Sequence, residues 1–389
     1  MPAVGFVPST RFPHGVPRGM IAPAITIMLP AGPTGLRGCD VRVQRGCKMA
    51  GAPRWITEAD VVELMDLGGA IEALTRGLLA EAAGSARNME KTAAHWGKSS
   101  NMHAIGAVFE GANVFGTKTW GNTPEGGSTP LLILWDATSA KLLAIVEGRA
   151  LGQMRTGAMS AIATQWMSER DADDFAIIGS GKQALTQAAA VAAVRRLRRI
   201  RVFSPTPAKR IAFAEKLRGI FPGSEIRVAE DAASAADGAA IVTLITRARE
   251  PVITSSMVAR GAHVNAAGAI TNERREFAGD LFPRAALVAV DSLPATRQLS
   301  AEFIDWYDGK CGGDWTSVQP ISAIVAAGRP RPAGTDLSLF KPMGMGISDV
   351  SLAIDIVRRA EAAGAGRALP HPGFATPRIS SASKQETAA

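Results

Sequence analysis

Four short stretches carry the residue types that could do chemistry. NVFGTKTWGN puts Lys118 at the end of an apparent strand, beside Val114, Phe115 and Trp120. Apolar surroundings disfavour an ammonium, so such a lysine can titrate low enough to move a proton near neutral pH. The competing reading is a strand-end lysine that snorkels to water. ALGQMRTGAMSAIATQWM carries Arg155 ahead of a helical pattern (Met159, Ile162, Ala163, Trp166) that starts near Thr156. A cation at a helix N-terminus opposes the dipole. Arg155 therefore reads either as a group that joins the helix end in holding an anion, such as a substrate carboxylate, or as a surface arginine bent into water.

The third stretch, FAIIGSGKQA, is a buried strand, then Gly179-x-Gly181-x-x-Ala184, then a helix. Gly179 suits the tight turn, Gly181 lets the backbone approach a pyrophosphate, and Ala184 lets helix and strand pack closely. Ser180, Lys182 and Gln183 complete a turn whose free N–H groups and helix dipole would hold the anion. A plain glycine-rich turn is the alternative; the strand and helix on either side favour a dinucleotide. The next strand, IRVFSPTP, ends in Ser204 and Thr206 with Lys209 and Arg210 nearby, and no acid lies between Asp174 and Glu215. NAD sites place an Asp or Glu there for the ribose 2′-hydroxyl. NADP(H) is thus the expected cofactor, with NAD(H) the alternative.

The fourth stretch, GAHVNAAGAI, is an apolar strand opening into small residues, with no acid or base at its tip. His95, His103 and His263 lack metal-ligand spacing, no HExxH or CxxC occurs, and no GxSxG nucleophile elbow is present. No metal is expected, and hydride transfer is the chemistry that remains.

These stretches need positioning elements. WITEADVVELMDLGGAIEALTRGLLAEAAG predicts a helical start, with Thr57 and Asp60 as a capping box and Ile71, Leu74, Leu78 and Ala82 as a stripe. Residues 100–147 alternate apolar runs with turns such as TPEGGSTP, the rhythm of a small antiparallel sheet. From about 170, apolar strands alternate with helices (the second helix spanning 208–217), which indicates a doubly wound parallel sheet. Residues 347–364 read as a further amphipathic helix, with Ser348 and Asp349 as caps. The basic run RRLRRIRV, 195–202, reads as a solvated complement to the preceding helix's C-terminus, so nucleic acid is not an expected partner.

A chain of 389 residues, 47% hydrophobic and 20% charged, has the composition of a soluble two-domain protein with no membrane span. The net charge of +8 is concentrated in residues 1–48, where six Lys and Arg oppose Asp40 alone among seven Pro and seven Gly. That leader is expected to be disordered and lacks a secretory signal's organisation; Met49 is a candidate start. Cys39, Cys47 and Cys311 suggest no disulfide frame and a reducing, cytoplasmic setting.

From TEADV to the SDV helix the sequence resembles the ornithine cyclodeaminase/μ-crystallin family. The resemblance rests on SAR at 85–87, GTK at 116–118, MRTGAMSA at 154–161, IIGSGKQA, HVNAAG and LFKPMG at 339–344. It implies a homodimer of α/β subunits in which a Rossmann domain, residues 166–334, is inserted into a discontinuous α+β substrate-binding and dimerisation domain, residues 49–165 and 335–372, followed by a tail, 373–389. It implies that Arg87 and Arg155 hold the substrate carboxylate, Met102 lines the pocket, Lys118 moves a proton, and Thr156, Thr246 and Ala267 lie near the cofactor. The departure is Ile270, where cyclodeaminases of the family carry an Asp. The expected activity is therefore NAD(P)H-dependent reduction of an α-imino acid or cyclic ketimine, or oxidation of the matching amino acid. The alternatives are an ornithine cyclodeaminase-type ammonia lyase with bound NAD, using another acid such as Glu125 or Glu273, and a non-catalytic NADP-dependent ligand-binding protein.

Overall fold

The computed structural model describes residues 51–309 and 311–379. The expected leader with Cys39, Cys47 and Met49, and the end of the tail, lie outside the described residues. The described residues form two sheets.

The first sheet contains β1 (Arg54–Ile56), β2 (Ala86–Trp96), β3 (Ser100–Phe109), β4 (Val114–Thr123), β5 (Gly127–Ser128), β6 (Leu131–Asp136), β7 (Leu142–Glu147) and, from the far end of the chain, β16 (Arg367–Ala368). Its order is β16-β1-β7-β6-β4-β3-β2, with β5 on β4; only β1 and β7 are parallel. The alternating burial along β4, β6 and β7 shows that one face is covered and the other is not.

The second sheet contains β8 (Asp174–Ile178), β9 (Arg199–Phe203), β10 (Glu225–Val228), β11 (Ile241–Leu244), β12 (Ala262–Ala266), β13 (Ala285–Val290), β14 (Val318–Pro320) and β15 (Leu337–Lys341). Every pairing is parallel, in the order β10-β9-β8-β11-β12-β15-β13-β14. The left half is the Rossmann order 3-2-1-4-5, and β8, β11, β12 and β15 are buried on both faces, as continuous apolar strands must be. The expected boundary at 334 falls too early, because β15 is a central strand here: Leu339 pairs with Val264 on one side and Val288 on the other.

Helices α1 (Glu58–Leu64), α2 (Leu67–Ala82), α3 (Arg149–Met167) and α10 (Gly346–Ala363) cover one face of the first sheet or join it to the second. The Thr57–Asp60 capping box starts α1 as the sequence predicts. Asp66 then caps α2 separately, and Ile71, Leu74 and Leu78 are buried. Around the second sheet lie α4 (Ala184–Val194), α5 (Pro207–Ile220), α6 (Ala232–Ala236), α7 (Leu293–Leu299), α8 (Ala301–Tyr307) and α9 (Ile321–Ala327).

Two local expectations are corrected. Helix α10 is not capped by Ser348 or Asp349; its N-cap is Met345, without a side-chain cap bond, and Asp349 turns inward from the first turn. Nor is the basic run uniformly solvated. Arg195 is buried and donates to the carbonyls of Thr164, Gln165, Ser168 and Glu169, satisfying the open C-terminus of α3. Among the described residues no helix is long and apolar enough to cross a membrane.

Candidate functional site

Helix α3 begins at Arg149, about two turns before Thr156, because Arg149–Met154 also take helical conformation behind Gly148. Arg155 is therefore inside a helix and not at its N-terminus, so the dipole plays no part in its placement. What it meets is a side chain of the same protein: its Nε lies 3.3 Å from Oδ1 of Asp349. The same oxygen accepts a 2.9 Å hydrogen bond from Nζ of Lys118.

The snorkelling reading of Lys118 is thereby excluded, since its side chain is only 8% exposed. Glycine makes the pairing geometrically possible. A Cβ on Gly346, the first residue of α10, would lie 1.8 Å from the carbonyl oxygen of Gly106, so the helix end presses directly on β3. That close approach brings Asp349 over β4.

Register decides which other residues share this face. Lys118 pairs across β3 with Ile105, whereas Arg87 pairs with Val108 and Met102 with Gly121. Side chains alternate along a strand, so positions 102 and 108 point away from the face that holds 105 and 118. Arg87 accordingly lies on the outer face, 61% exposed and paired with Glu110 at 2.5 Å, and Met102 is exposed there too. The structure does not bring these two expected substrate residues to Lys118.

Lys91 stands in the place expected of Arg87. The pairing of β2 with β3 shifts between Met89 and Thr92, and this irregularity brings Lys91 to the inner face. Burial, with the nearby Arg155, pushes its pKa below the usual lysine range, while Asp291 opposes the shift and Lys118 adds to it. Lys118 is likewise lowered, first by burial, against the opposing Asp349 and with Arg155 acting in the same direction as burial. Burial alone would raise Asp349, but Arg155 and Lys118 outweigh it and hold the carboxyl below its ordinary value. Asp291 is raised by burial; it accepts bonds from the amides of Met343 and Gly344, fixing the KPMG turn that leads into α10. An aromatic wall adjoins the cations: Lys118 Nζ is 5.3 Å from the Trp120 ring, on which His103 stacks. Three cations thus face two carboxylates, an arrangement with room for one more anion.

On the second sheet, the Gly179 turn lies at the C-terminal edge, where strand order reverses and ligands of such sheets bind. Gly179 has φ +119°, and a Cβ there would meet the Ile245 carbonyl oxygen at 2.4 Å. Nothing lies within 4 Å of a Cβ built on Gly181, so its backbone is open to a ligand. Gln183 is the N-cap of α4 and its buried Oε1 has no protein partner. Lys182 is exposed. These features fit a dinucleotide.

Ser180 donates to Ser204 at 2.9 Å, tying the turn to the end of β9. Beyond it the Thr206 hydroxyl makes no capping bond, and Arg210 stacks over Phe203 and donates to the carbonyl of Glu230. Thr156 sits in α3, its hydroxyl bonded to the Gly152 carbonyl and its own carbonyl accepting from Gln187 of α4. Thr246 lies two residues beyond β11, and Ala267 is buried directly after β12, its amide bonded to the carbonyl of Leu244.

Lys91 and Asp291 were not singled out from the sequence, and neither was a third group, Glu276. Glu276 is fully buried; one oxygen accepts from the amide and hydroxyl of Thr246, the other from the amides of Gly268 and Ala269. It clamps together the loops after β11 and β12, and Glu302, bonded to the Glu276 amide and to buried Lys341, backs it. The only sequence signal was an acid eight residues beyond the glycine of HVNAAG. Ile270 is 40% exposed at the tip of that loop, and Glu125 and Glu273 are both exposed surface residues. Among the described residues no group of His, Cys, Asp and Glu is placed to hold a metal.

Comparison with known proteins adds the following. The profile of the ornithine cyclodeaminase/mu-crystallin family matches residues 54–364. The Delta(1)-pyrroline-2-carboxylate reductase of Bacillus cereus is 29% identical over 269 residues, 67% of this chain and 82% of that protein. The ketimine reductase mu-crystallin of Rattus norvegicus is 28% identical over 219 residues, 56% of this chain and 66% of that one. Among solved structures, the Thermococcus litoralis Delta(1)-pyrroline-2-carboxylate reductase in complex with NADH and L-proline is similar with a TM-score of 0.76 and 26% identity, covering 81% of this chain and 100% of that one.

Proposed function

Because the chain belongs to the ornithine cyclodeaminase/mu-crystallin family, we propose that it is an NAD(P)H-dependent oxidoreductase that reduces the C=N bond of an α-imino acid or cyclic ketimine. The observation that carries this reading is a buried Lys118, bonded to Asp349 beside Arg155 and Lys91, with no carboxylate at Ile270. Reduction of an imine needs a hydride, a proton and a fixed orientation, and no further acid. A bound nicotinamide would supply the hydride. Arg155 and Lys91 would grip the substrate carboxylate, and Lys118 would give its proton to the imine nitrogen. Its lowered pKa makes it the better donor near neutral pH. The relatives named as pyrroline-2-carboxylate and ketimine reductases support the same chemistry.

NADPH is the preferred cofactor in this reading. No carboxylate stands at the end of β9, and Thr206, Lys209 and Arg210 supply a hydroxyl and two cations there. The cofactor turn at Gly179–Gln183, with Ser204, Thr246 and Ala267, forms its bed. A homodimer through the outer face of the first sheet is supported by the exposed Met89, Met102 and Val108. A cytoplasmic setting agrees with the free thiol of Cys311.

A panel of cyclic imines, and of 2-oxo acids with methylamine or ammonia, followed by NADPH and NADH absorbance, tests the reading. Oxidation of NADPH by a cyclic 2-imino acid is expected. Ammonia release from L-ornithine without net cofactor change would instead establish a cyclodeaminase.

A further inference from the structure

We propose that Asp349 is the positioning residue of the site: its buried carboxylate keeps the Lys118 ammonium charged and fixed beside Arg155, and holds Arg155 by one edge so that the outer guanidinium nitrogens remain free for substrate. This inference rests on the imine-reductase reading and deepens it. One oxygen serves both cations, at 2.9 Å from Lys118 Nζ and 3.3 Å from Arg155 Nε, and Asp349 is completely buried. Its second oxygen is buried without a partner, so its charge is spent on these two groups. The terminal nitrogens of Arg155 point past Gly344, where a Cβ would lie 3.2 Å from one of them.

The groups facing Lys118 come from three directions: Asp349 from α10, Arg155 from α3 and Lys91 from β2, with Trp120 of its own strand alongside. Asp291, from the end of β13, acts on Lys91 and Arg155. Burial, with Arg155, drives the proton off Lys118, and Asp349, hydrogen-bonded to it, opposes both and keeps the proton on. In the reduction, the hydride pair forms the new C–H bond and the π pair of C=N takes the Lys118 proton. Lysine is left as a neutral amine and Asp349 stays a carboxylate throughout.

The test is Asp349→Asn, read in two ways: the pH dependence of kcat with saturating imine and NADPH, and the pH dependence of Lys118 acylation by an amine-selective reagent, mapped by peptide mass. Both midpoints are expected to move to lower pH by about one unit or more, roughly a tenfold selective loss of activity on the alkaline side. Uniform loss at every pH, with an unchanged acylation midpoint, would overturn the proposal. Should the Asn variant not fold, Arg155→Met removes the competing cation, and the acylation midpoint must then move to higher pH; no movement, or a downward one, overturns it equally. Acylation needs no substrate, so a wild-type protein that reduces no imine but shows these shifts would sink the functional reading and leave the role of Asp349 standing.

Discussion

On the wall built around the first sheet, the working groups are side-chain charges: Lys91, Lys118 and Arg155, set against Asp349 and against Asp291, which the parallel sheet supplies from the end of β13. On the wall built from the parallel sheet they are mostly backbone: the open turn at Gly179–Gln183 and the loops after β11 and β12, held by one buried carboxylate, Glu276. The first wall does chemistry by placing protons and charge, and it depends on strand register. The second offers shape and amide donors, and it depends on local conformation. Damage should therefore differ in kind: substitutions on the first wall should alter turnover or substrate binding with the fold intact, and those on the second should alter cofactor binding or stability.

The largest contrast is expected from Lys118→Ala. Loss of a general acid costs roughly 10²- to 10⁴-fold in kcat, and cofactor affinity, measured by NADPH fluorescence, should hardly change. A gain in KM without loss of kcat would remove Lys118 from proton transfer. Next, Lys91→Met and Arg155→Met should each raise KM for the imino acid by about 10- to 100-fold, the worth of one charge-assisted contact. Steady-state kinetics at fixed NADPH decides this. On the opposite wall, Glu276→Gln swaps two acceptor oxygens for one, leaving the donors of one of the two loops unpaired at about 1–3 kcal/mol each. A drop in Tm with weakened NADPH binding is expected, and an unchanged Tm would show that the clamp is dispensable. The smallest effect belongs to Arg87→Met, which should leave KM within about twofold, because an exposed ion pair contributes about 0–1 kcal/mol. If Arg87 mattered more than Lys91, the assignment of faces on β2 would be wrong.

The pH dependence sharpens the same contrast. Lys118 acts protonated and its pKa lies below that of an ordinary lysine, so kcat should fall as pH rises through that lowered value. His263, whose pKa burial pushes down to about 3, is neutral throughout and should add no inflection near 6.5.

What could be read from the sequence follows this division. The backbone wall was legible because glycines mark conformation locally: Gly179 and Gly181 announce a turn and its ligand with no tertiary information. Lys118 was also legible, since its apolar neighbours adjoin it in the chain. Arg155 was identified for an incomplete reason. Helical residues from Arg149 onward have no apolar stripe of their own, so the helix start was misplaced and the anion was sought in the substrate alone, when Asp349 lies 194 residues away in sequence. Strand β2 was invisible because an exposed edge strand, RNMEKTAAHW, has no hydrophobic alternation. Without that strand and its irregular pairing, Arg87 could not be told from Lys91. Glu276 depended on two loops meeting, which no single stretch of sequence records.

The central claim is that charge on the first wall and a dinucleotide on the second meet at a C=N bond. The most direct measurement is NADPH absorbance with Δ1-pyrroline-2-carboxylate, wild type beside Lys118→Ala. Substrate-dependent oxidation of NADPH by the wild type, lost in the variant, is the predicted result. No oxidation with any cyclic or open-chain imino acid, by folded protein that demonstrably binds NADPH, would contradict it.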